Sequence, residues 1–175
     1  PIPVPAAHGT GGHFHLSLHV AGGAAFPYDP AGPLPLSRAA AQFCAGLLPH
    51  LPAITAITAP SPVSYLRLTP NRWAPTNVDI VKQDRAAALR VCPVFGGAKK
   101  KDVANAFNLE FRVCDASASP YLALGALLFA GADGIVGKLA LPAAGDPSKP
   151  LPHSLAEALD HMNEAHRLQH LDIKP

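Results

Sequence analysis

The sequence predicts an α+β domain, and three observations carry that expectation. Four segments alternate polar and apolar residues at the period of a half-buried strand. Three stretches begin with a capping serine ahead of an apolar or amphipathic run. Prolines number 20 and glycines 14 in 175 residues, which disfavours a helical bundle or coiled coil and implies many turns. The length fits one domain, with 49% hydrophobic and 15% charged residues. Against a typical charged share of about 25%, this excludes a disordered polyelectrolyte and leaves enough apolar surface for a core. The net charge is +2, from 14 basic and 12 acidic residues, so nothing points to a nucleic-acid surface.

The elements follow in order. In residues 13–20, His13, His15, Ser17 and His19 face one way and Phe14, Leu16, Leu18 and Val20 the other. A glycine-rich turn precedes this strand, and residues 21–35 read as a loop. Ser37 caps a helix expected to run to about Leu48 and to stop before Pro49 and Pro52. Ser64 to Thr69 alternates again, with Tyr65, Arg67 and Thr69 opposite Leu66 and Leu68. Arg85 to Val94 holds a third strand, with Ala88, Arg90 and Cys92 on one face. Lys99, Lys100 and Lys101 follow a Gly-Gly pair and read as a solvated loop. Asn108 to Val113 is a fourth strand, with Asn108, Glu110 and Arg112 opposite Leu109, Phe111 and Val113. Ser117, Ser119 and Pro120 open an Ala-rich buried helix that extends toward Leu139, though its glycines weaken it. Residues 141–153 form a Pro-rich linker. Ser154 and Glu157 make a capping box for a last helix.

Cys44, Cys92 and Cys114 are an odd, widely spaced set, which reads as reduced and mostly buried thiols. The amino end lacks the basic flank and apolar run of a signal peptide. The longest apolar run, Tyr121 to Ala132, falls short of the roughly 20 residues needed to span a bilayer. Together these features imply a cytoplasmic protein with no membrane partner.

The polar faces collect His13, His15, Ser17, Arg67, Arg90, Glu110 and Arg112, with Arg85 close by in sequence. Singly, each has a plain explanation: a surface histidine pair, or an arginine in a surface ion pair. Four such faces in one short chain point further. Guanidinium forks match phosphate and carboxylate, and neutral imidazole with a carboxylate suits a divalent cation. The combination reads as a polyanion site with a metal, such as a nucleotide with Mg2+ or Mn2+.

These residues also resemble a family. Gly9-Thr-Gly-Gly-His13-Phe-His15-Leu-Ser17-Leu is similar to the glutamine synthetase strand written GSGxHxHxSL. Tyr28-Asp29 resembles FYD, and Ser64 to Pro70 resembles NSYKRLVP. Asp84-Arg85 followed by Arg90 resembles NRxxxxR. Glu110-Phe111-Arg112 with Ser119-Pro120-Tyr121-Leu122-Ala123-Leu124 resembles ExRxPDxxANPYLAxAA. Order and spacing agree from about residue 8 to residue 165. The resemblance implies a curved antiparallel sheet around the site, with helices outside. It implies an ATP-dependent ligase that phosphorylates the glutamate γ-carboxylate and then attacks the acyl phosphate with an amine. It assigns His13 and Glu110 to Mg2+ or Mn2+, and His15 and Ser17 to ATP. Arg85 and Arg90 fall on the phosphates and the transferred phosphoryl group, as catalytic and ATP-binding residues. Gly9, Arg67 and Arg112 fall on the glutamate or a similar acid.

Two departures qualify it. Trp73 stands three places after Pro70, where the family carries a glutamate that helps deprotonate ammonium. An indole cannot act as a base, though its face can hold a cation or an apolar amine. Trp73 is therefore the amine-site candidate, and larger amines than ammonia become the expected acceptors. Asn108 sits where an arginine is common. The second departure is coverage, because the family's catalytic domain is about twice this long and follows an N-terminal β-grasp domain. Residues 1–175 are thus expected to be the C-terminal portion of that domain, inactive alone, from a parent that forms homo-oligomeric rings. Two competing classes stand beside the ligase. One is a catalytically inactive binding or structural module; the other is a plain metal-binding β-protein using His13, His15 and His19.

Overall fold

The computed structural model describes residues 9–19, 21, 28–94, 100–142 and 149–164. His8, Val20, most of the loop after it, Lys99, the middle of the Pro-rich linker and the tail beyond residue 164 lie outside these. Three of the four alternating segments join a sheet, and a further strand, not expected from the sequence, completes it. Its strands are β1 (Phe14–Leu16), β2 (Asn77–Lys82), β3 (Ala87–Val91) and β4 (Leu109–Phe111), in the order β1-β4-β3-β2. Both β1–β4 and β4–β3 are antiparallel, whereas β3–β2 is parallel. The α+β class holds, and the parallel pair is the exception to the antiparallel expectation. Only residues 83–86 link β2 to β3, far fewer than the dozen or so a parallel crossover usually takes, and within this link Gln83 has φ at 70° and the Asp84 carboxylate accepts from the Ala86 N–H at 2.8 Å.

Register sets the two faces. Phe14, Phe111 and Leu89 form one row across three strands, and Leu16, Leu109 and Val91 another. Phe111, Leu109, Leu89 and Val91 are buried in the core. The row between them, His15–Glu110–Arg90, points to the opposite face.

The apolar face is covered by α1 (Arg38–Thr58), which also packs on α3 (Pro120–Val136) and α4 (Leu155–Glu164). Ser37 caps α1 as expected, accepting from the Ala40 N–H at 3.2 Å. The helix does not stop at Leu48. It continues through Pro49 and Pro52 for 21 residues. A proline inside a helix costs about 3 kcal/mol, but Leu47, Leu51 and Ile54 are fully buried here, and that burial offsets the lost bonds. Thr55 and Thr58 donate their hydroxyls back to the Leu51 and Ile54 carbonyls, at 2.8 Å and 3.1 Å. By length and composition α1 could cross a membrane, yet 78% of its apolar window is buried inside the fold.

Three further differences have local causes. Residues 64–69 are not a strand. A 3-10 turn at Pro62–Ser64 leads into i→i+3 bonds, Ser64 N to Ser61 O and Arg67 N to Ser64 O, which use the donors a ladder would need. This turns Tyr65 and Arg67 inward and leaves Leu66 exposed. The lysine run, read as a loop, belongs from Lys100 to a short helix, α2 (Lys100–Ala106). The Ser119 hydroxyl makes no cap bond on α3. Instead the Asp115 carboxylate accepts from Ser117 N at 2.8 Å and Ser117 Oγ at 2.6 Å, fixing the turn ahead of the helix. The capping box of α4 forms, with Glu157 N donating to Ser154 Oγ and His153 N to the Glu157 carboxylate. All three cysteines are free and buried.

The glycines of α3 do not break it, and two of them, Gly131 and Gly134, are packing notches against Phe43 and Gly46 of α1. A Cβ on Gly134 would sit 2.6 Å from Gly46 N, and one on Gly46 would sit 2.2 Å from the Ala130 carbonyl. The α1 and α3 backbones therefore touch at this crossing. Gly125, by contrast, faces nothing within 4 Å. Gly46→Ala should lower stability by about 1–3 kcal/mol through backbone overpacking. Gly125→Ala should raise the stability of this chain by up to about 1 kcal/mol. Paired urea titrations measure both.

Candidate functional site

The polar row places its members by sheet register alone. Glu110 sits at the centre of β4, opposite His15 on β1 and Arg90 on β3, and Arg112 follows two residues later on the same face. Glu110 is only 2% exposed. Its Oε2 accepts from Arg90 Nε at 2.5 Å and its Oε1 from Arg112 at 2.6 Å. Arg112 Nε also donates to the Arg85 carbonyl at 3.0 Å, tying the short β2–β3 link down over the sheet. Burial alone would raise the Glu110 pKa, but the Arg90 hydrogen bond, then the Arg112 and Arg90 charges, hold it below the usual carboxylate range.

Around this row lies an open cavity of about 330 Å3, lined by His13, Trp73, Arg85, Arg90, Glu110 and Arg112. Its formal charge is 3 − 1 = +2 from the three arginines and Glu110. The His13 pKa is lowered, first by burial and second by Arg112, against an opposing pull from Glu110. Its ring is therefore neutral near pH 7. Among the described residues no ion pair or side-chain hydrogen bond holds the Arg85 guanidinium, and Arg85 is exposed. Two guanidiniums paired with Glu110, one free among the described residues, and a surplus of positive charge give this cavity a chemistry that suits an anion.

His15 sits just behind this lining. Its Nδ1 lies 2.8 Å from Asn108 Oδ1, and the Asn108 amide nitrogen donates to the Ala106 carbonyl at 3.0 Å. The amide is thereby oriented with its oxygen toward the ring, so Nδ1 carries the proton and Nε2 is left open, 3.6 Å from Glu110 Oε1. Sequence reasoning noted Asn108 only as a departure. The signal for its role was its place just ahead of β4, on the polar side of the alternation, with a histidine expected on another strand. Ser17 donates to the Phe107 carbonyl at 3.3 Å and does not line the cavity.

Arg67 and Gly9 are not among the lining residues either. Arg67 is 3% exposed, and its Nη2 donates to the Val113 and Cys114 carbonyls at 2.8 Å and 3.0 Å. Its Nη1 lies under the glycine turn, 2.9 Å from where a Gly11 Cβ would be, so the turn needs glycine there to sit on the guanidinium. Trp73 stands at the cavity rim, 82% exposed, with φ at 57°. A bulky residue in the left-handed region is a strained conformation that the surrounding turn must hold.

A divalent cation finds only part of a site here. His13 and Glu110 both line the cavity, but both Glu110 oxygens are taken by arginines. Among the described residues no three His, Cys, Asp or Glu side chains converge. The His13, His15 and His19 metal protein is thereby corrected.

Glu110 holds the row together, so its loss should be costly. Glu110→Gln should lower stability by about 3–5 kcal/mol, because two buried guanidiniums lose their partner. The folded pKa lies below the unfolded value of about 4.3. The stability it contributes is therefore complete above that value and lost as pH falls through the folded pKa. Urea midpoints between pH 6 and pH 3 should show this loss in the native chain and not in Glu110→Gln.

The sequence matches the family model described as "Glutamine synthetase, catalytic domain" over residues 1–172. It is 40% identical over 157 residues to a glutamine synthetase of Streptomyces viridochromogenes, covering 90% of this chain and 31% of that one. It is 42% identical over 150 residues to gamma-glutamylpolyamine synthetase GlnA3 of Streptomyces coelicolor, covering 81% of this chain and 30% of the other. A solved structure described as a novel glutamine synthase homolog superposes with a TM-score of 0.77 at 40% identity, over 90% of this chain and 36% of that one. The chain thus spans about a third of the length of these relatives.

Proposed function

The chain belongs to the glutamine synthetase family, and from that premise we propose that it supplies part of the site of an ATP-dependent carboxylate–amine ligase. The reaction is formation of a γ-glutamyl amide through a γ-glutamyl phosphate. The observation that carries the reading is the cationic cavity around Glu110, where Arg85, Arg90 and Arg112 meet on one sheet face.

In this reading Arg85 and Arg90 hold the phosphates and neutralise the phosphoryl group in flight. Preorganised guanidiniums suit that task because they need no reorganisation as charge moves. Arg90 is fixed by Glu110, while Arg85 is free to bind. Arg112, with Arg67 and Gly9 behind it, holds the carboxylate of glutamate or a similar acid. Arg67 acts from below the glycine turn, setting the loop that carries Gly9. His15 and Ser17 are assigned to ATP, with His15 presenting Nε2 through its bond to Asn108. His13 and Glu110 offer a Mg2+ or Mn2+ ion two donors at most, where Mg2+ wants six. Such an ion would supply further charge neutralisation at the phosphates, and its other donors would be phosphate oxygens, water or polypeptide outside this chain. These 175 residues are then the C-terminal portion of the catalytic domain, inactive alone, within a cytoplasmic homo-oligomeric enzyme.

Trp73 bears on the acceptor. At the cavity rim its indole face is open, where the resemblance places a glutamate. An amine with a cationic or apolar body gains there what ammonia cannot, worth about 0.5–2 kcal/mol. The S. coelicolor relative is named for polyamines. The same residue favours the second reading, an inactive module, since no base replaces the missing carboxylate.

The test is ADP release by the polypeptide containing this chain and the rest of its catalytic domain, with glutamate and a panel of amines from ammonia to polyamines. Release with a larger amine supports the ligase, and none with any amine supports the inactive module. Arg112→Ala should raise the KM for the acid at least tenfold, about 1.4 kcal/mol, and an unaltered KM would remove Arg112 from the carboxylate clamp.

A further inference from the structure

The turn that carries Trp73 holds an aromatic face out over the cavity. Residues 70–75 read Pro-Asn-Arg-Trp-Ala-Pro, so a proline, with its restricted backbone, stands at either end. Asn71 and Trp73 both lie in the left-handed region, with φ at 64° and 57°. Ala74 and Pro75 are buried and anchor the turn, while the indole itself stays exposed and lines the same cavity as the arginines and Glu110.

That cavity lacks two things that an ordinary amine needs. The first is a proton acceptor. An alkylamine keeps its proton up to a pKa of about 10, as a lysine side chain does, so at neutral pH nearly all of it is ammonium with no lone pair to attack an acyl phosphate. Among the described residues Glu110 is the only carboxylate of the lining, and both its oxygens accept from arginines. Residues 70–75 contain no Asp, Glu or His. In the ligase reading the lone pair of His13 is committed to the cation. The second missing part is a counter-charge. Three arginines line the cavity and Arg72 adjoins Trp73 in sequence, so an entering ammonium meets like charge. Phosphates held by Arg85 and Arg90 are balanced by those same arginines and leave no unpaired anion for it. A polyamine brings two or more such charges, which one indole face does not offset.

An arylamine needs neither part. Its nitrogen lone pair is shared with the ring, so it is unprotonated at neutral pH and brings no charge into the cavity. Its flat ring stacks on an indole. Resting on the ligase reading, we propose that the acceptor of this site is a primary arylamine, selected by Trp73. The amine nitrogen forms a bond to the γ-carbonyl carbon, and the bond from that carbon to the phosphate oxygen breaks. Phosphate leaves with the electron pair and takes the proton that the nitrogen gives up, so no protein base is required.

Trp73 is the only tryptophan in the 175 residues, so its indole N–H resonance reports binding at the rim without turnover. The chain, in pyrophosphate, is titrated with aniline, benzylamine, putrescine and ammonium at matched ionic strength. Benzylamine carries the same ring with a protonated nitrogen and so isolates the effect of charge. The half-shift concentration should be at least tenfold lower for aniline than for the other three. In the polypeptide containing this chain and the rest of its catalytic domain, ADP release with glutamate should give aniline at least a tenfold higher kcat/KM than the others. Trp73→Phe should keep that order and Trp73→Glu should reverse it. A shift or a kcat/KM that favours benzylamine, putrescine or ammonium overturns the proposal, as does an order that Trp73→Glu leaves unchanged. ADP release best with one of those three sinks the arylamine and leaves the ligase standing. An aniline shift at Trp73 with no ADP release from any amine sinks the ligase and leaves the arylamine site.

Discussion

A buried carboxylate between two guanidiniums is the constraint on which the site depends. Glu110 could not remain charged at the centre of a sheet without Arg90 and Arg112, and neither arginine could lie so flat on the sheet without Glu110. The pairing consumes part of the positive charge and orients the rest. Arg112 passes the constraint on by gripping the Arg85 carbonyl, so a loop too short for an ordinary crossover is held where Arg85 overlooks the cavity. Charge, register and loop position are thus one arrangement.

The opposite face of the sheet makes that arrangement affordable. Its rows of Phe, Leu and Val sit against α1, a helix so deeply buried that two internal prolines do not end it. Gly46 and Gly134 let α1 and α3 touch backbone to backbone. The layers are therefore close-packed behind the site and open in front of it. Trp73 and Arg85 stand on the open side.

Much of this was legible in the residues. Alternation around His15, Arg90 and Glu110 assigned each to the polar face of a strand, and the motifs placed the strands in one family. The register that puts the three in a single row was not legible, since it depends on which strand pairs with which. Asn77–Lys82 escaped notice because Asp79 and Lys82 blur a short pattern in which only Val78 and Ile80 are buried. Residues 64–69 misled because alternation over six residues also fits a turn whose i→i+3 bonds bury every second or third side chain. Prolines in α1 were weighed by local propensity, which tertiary burial overrode. Arg67 was legible as a candidate arginine, but its burial beneath the glycine turn follows from that same misread segment.

The central claim is that the guanidiniums around Glu110 form one anion receptor. Titration of inorganic pyrophosphate into the chain, followed by calorimetry in low salt, tests it most directly when the native chain is compared with Arg85→Ala. Arg85 anchors none of the side-chain bonds that hold the row, so its loss should leave the fold intact. The account predicts pyrophosphate binding that weakens at least tenfold in Arg85→Ala and fades as salt rises. Binding of equal strength in the two proteins would contradict it.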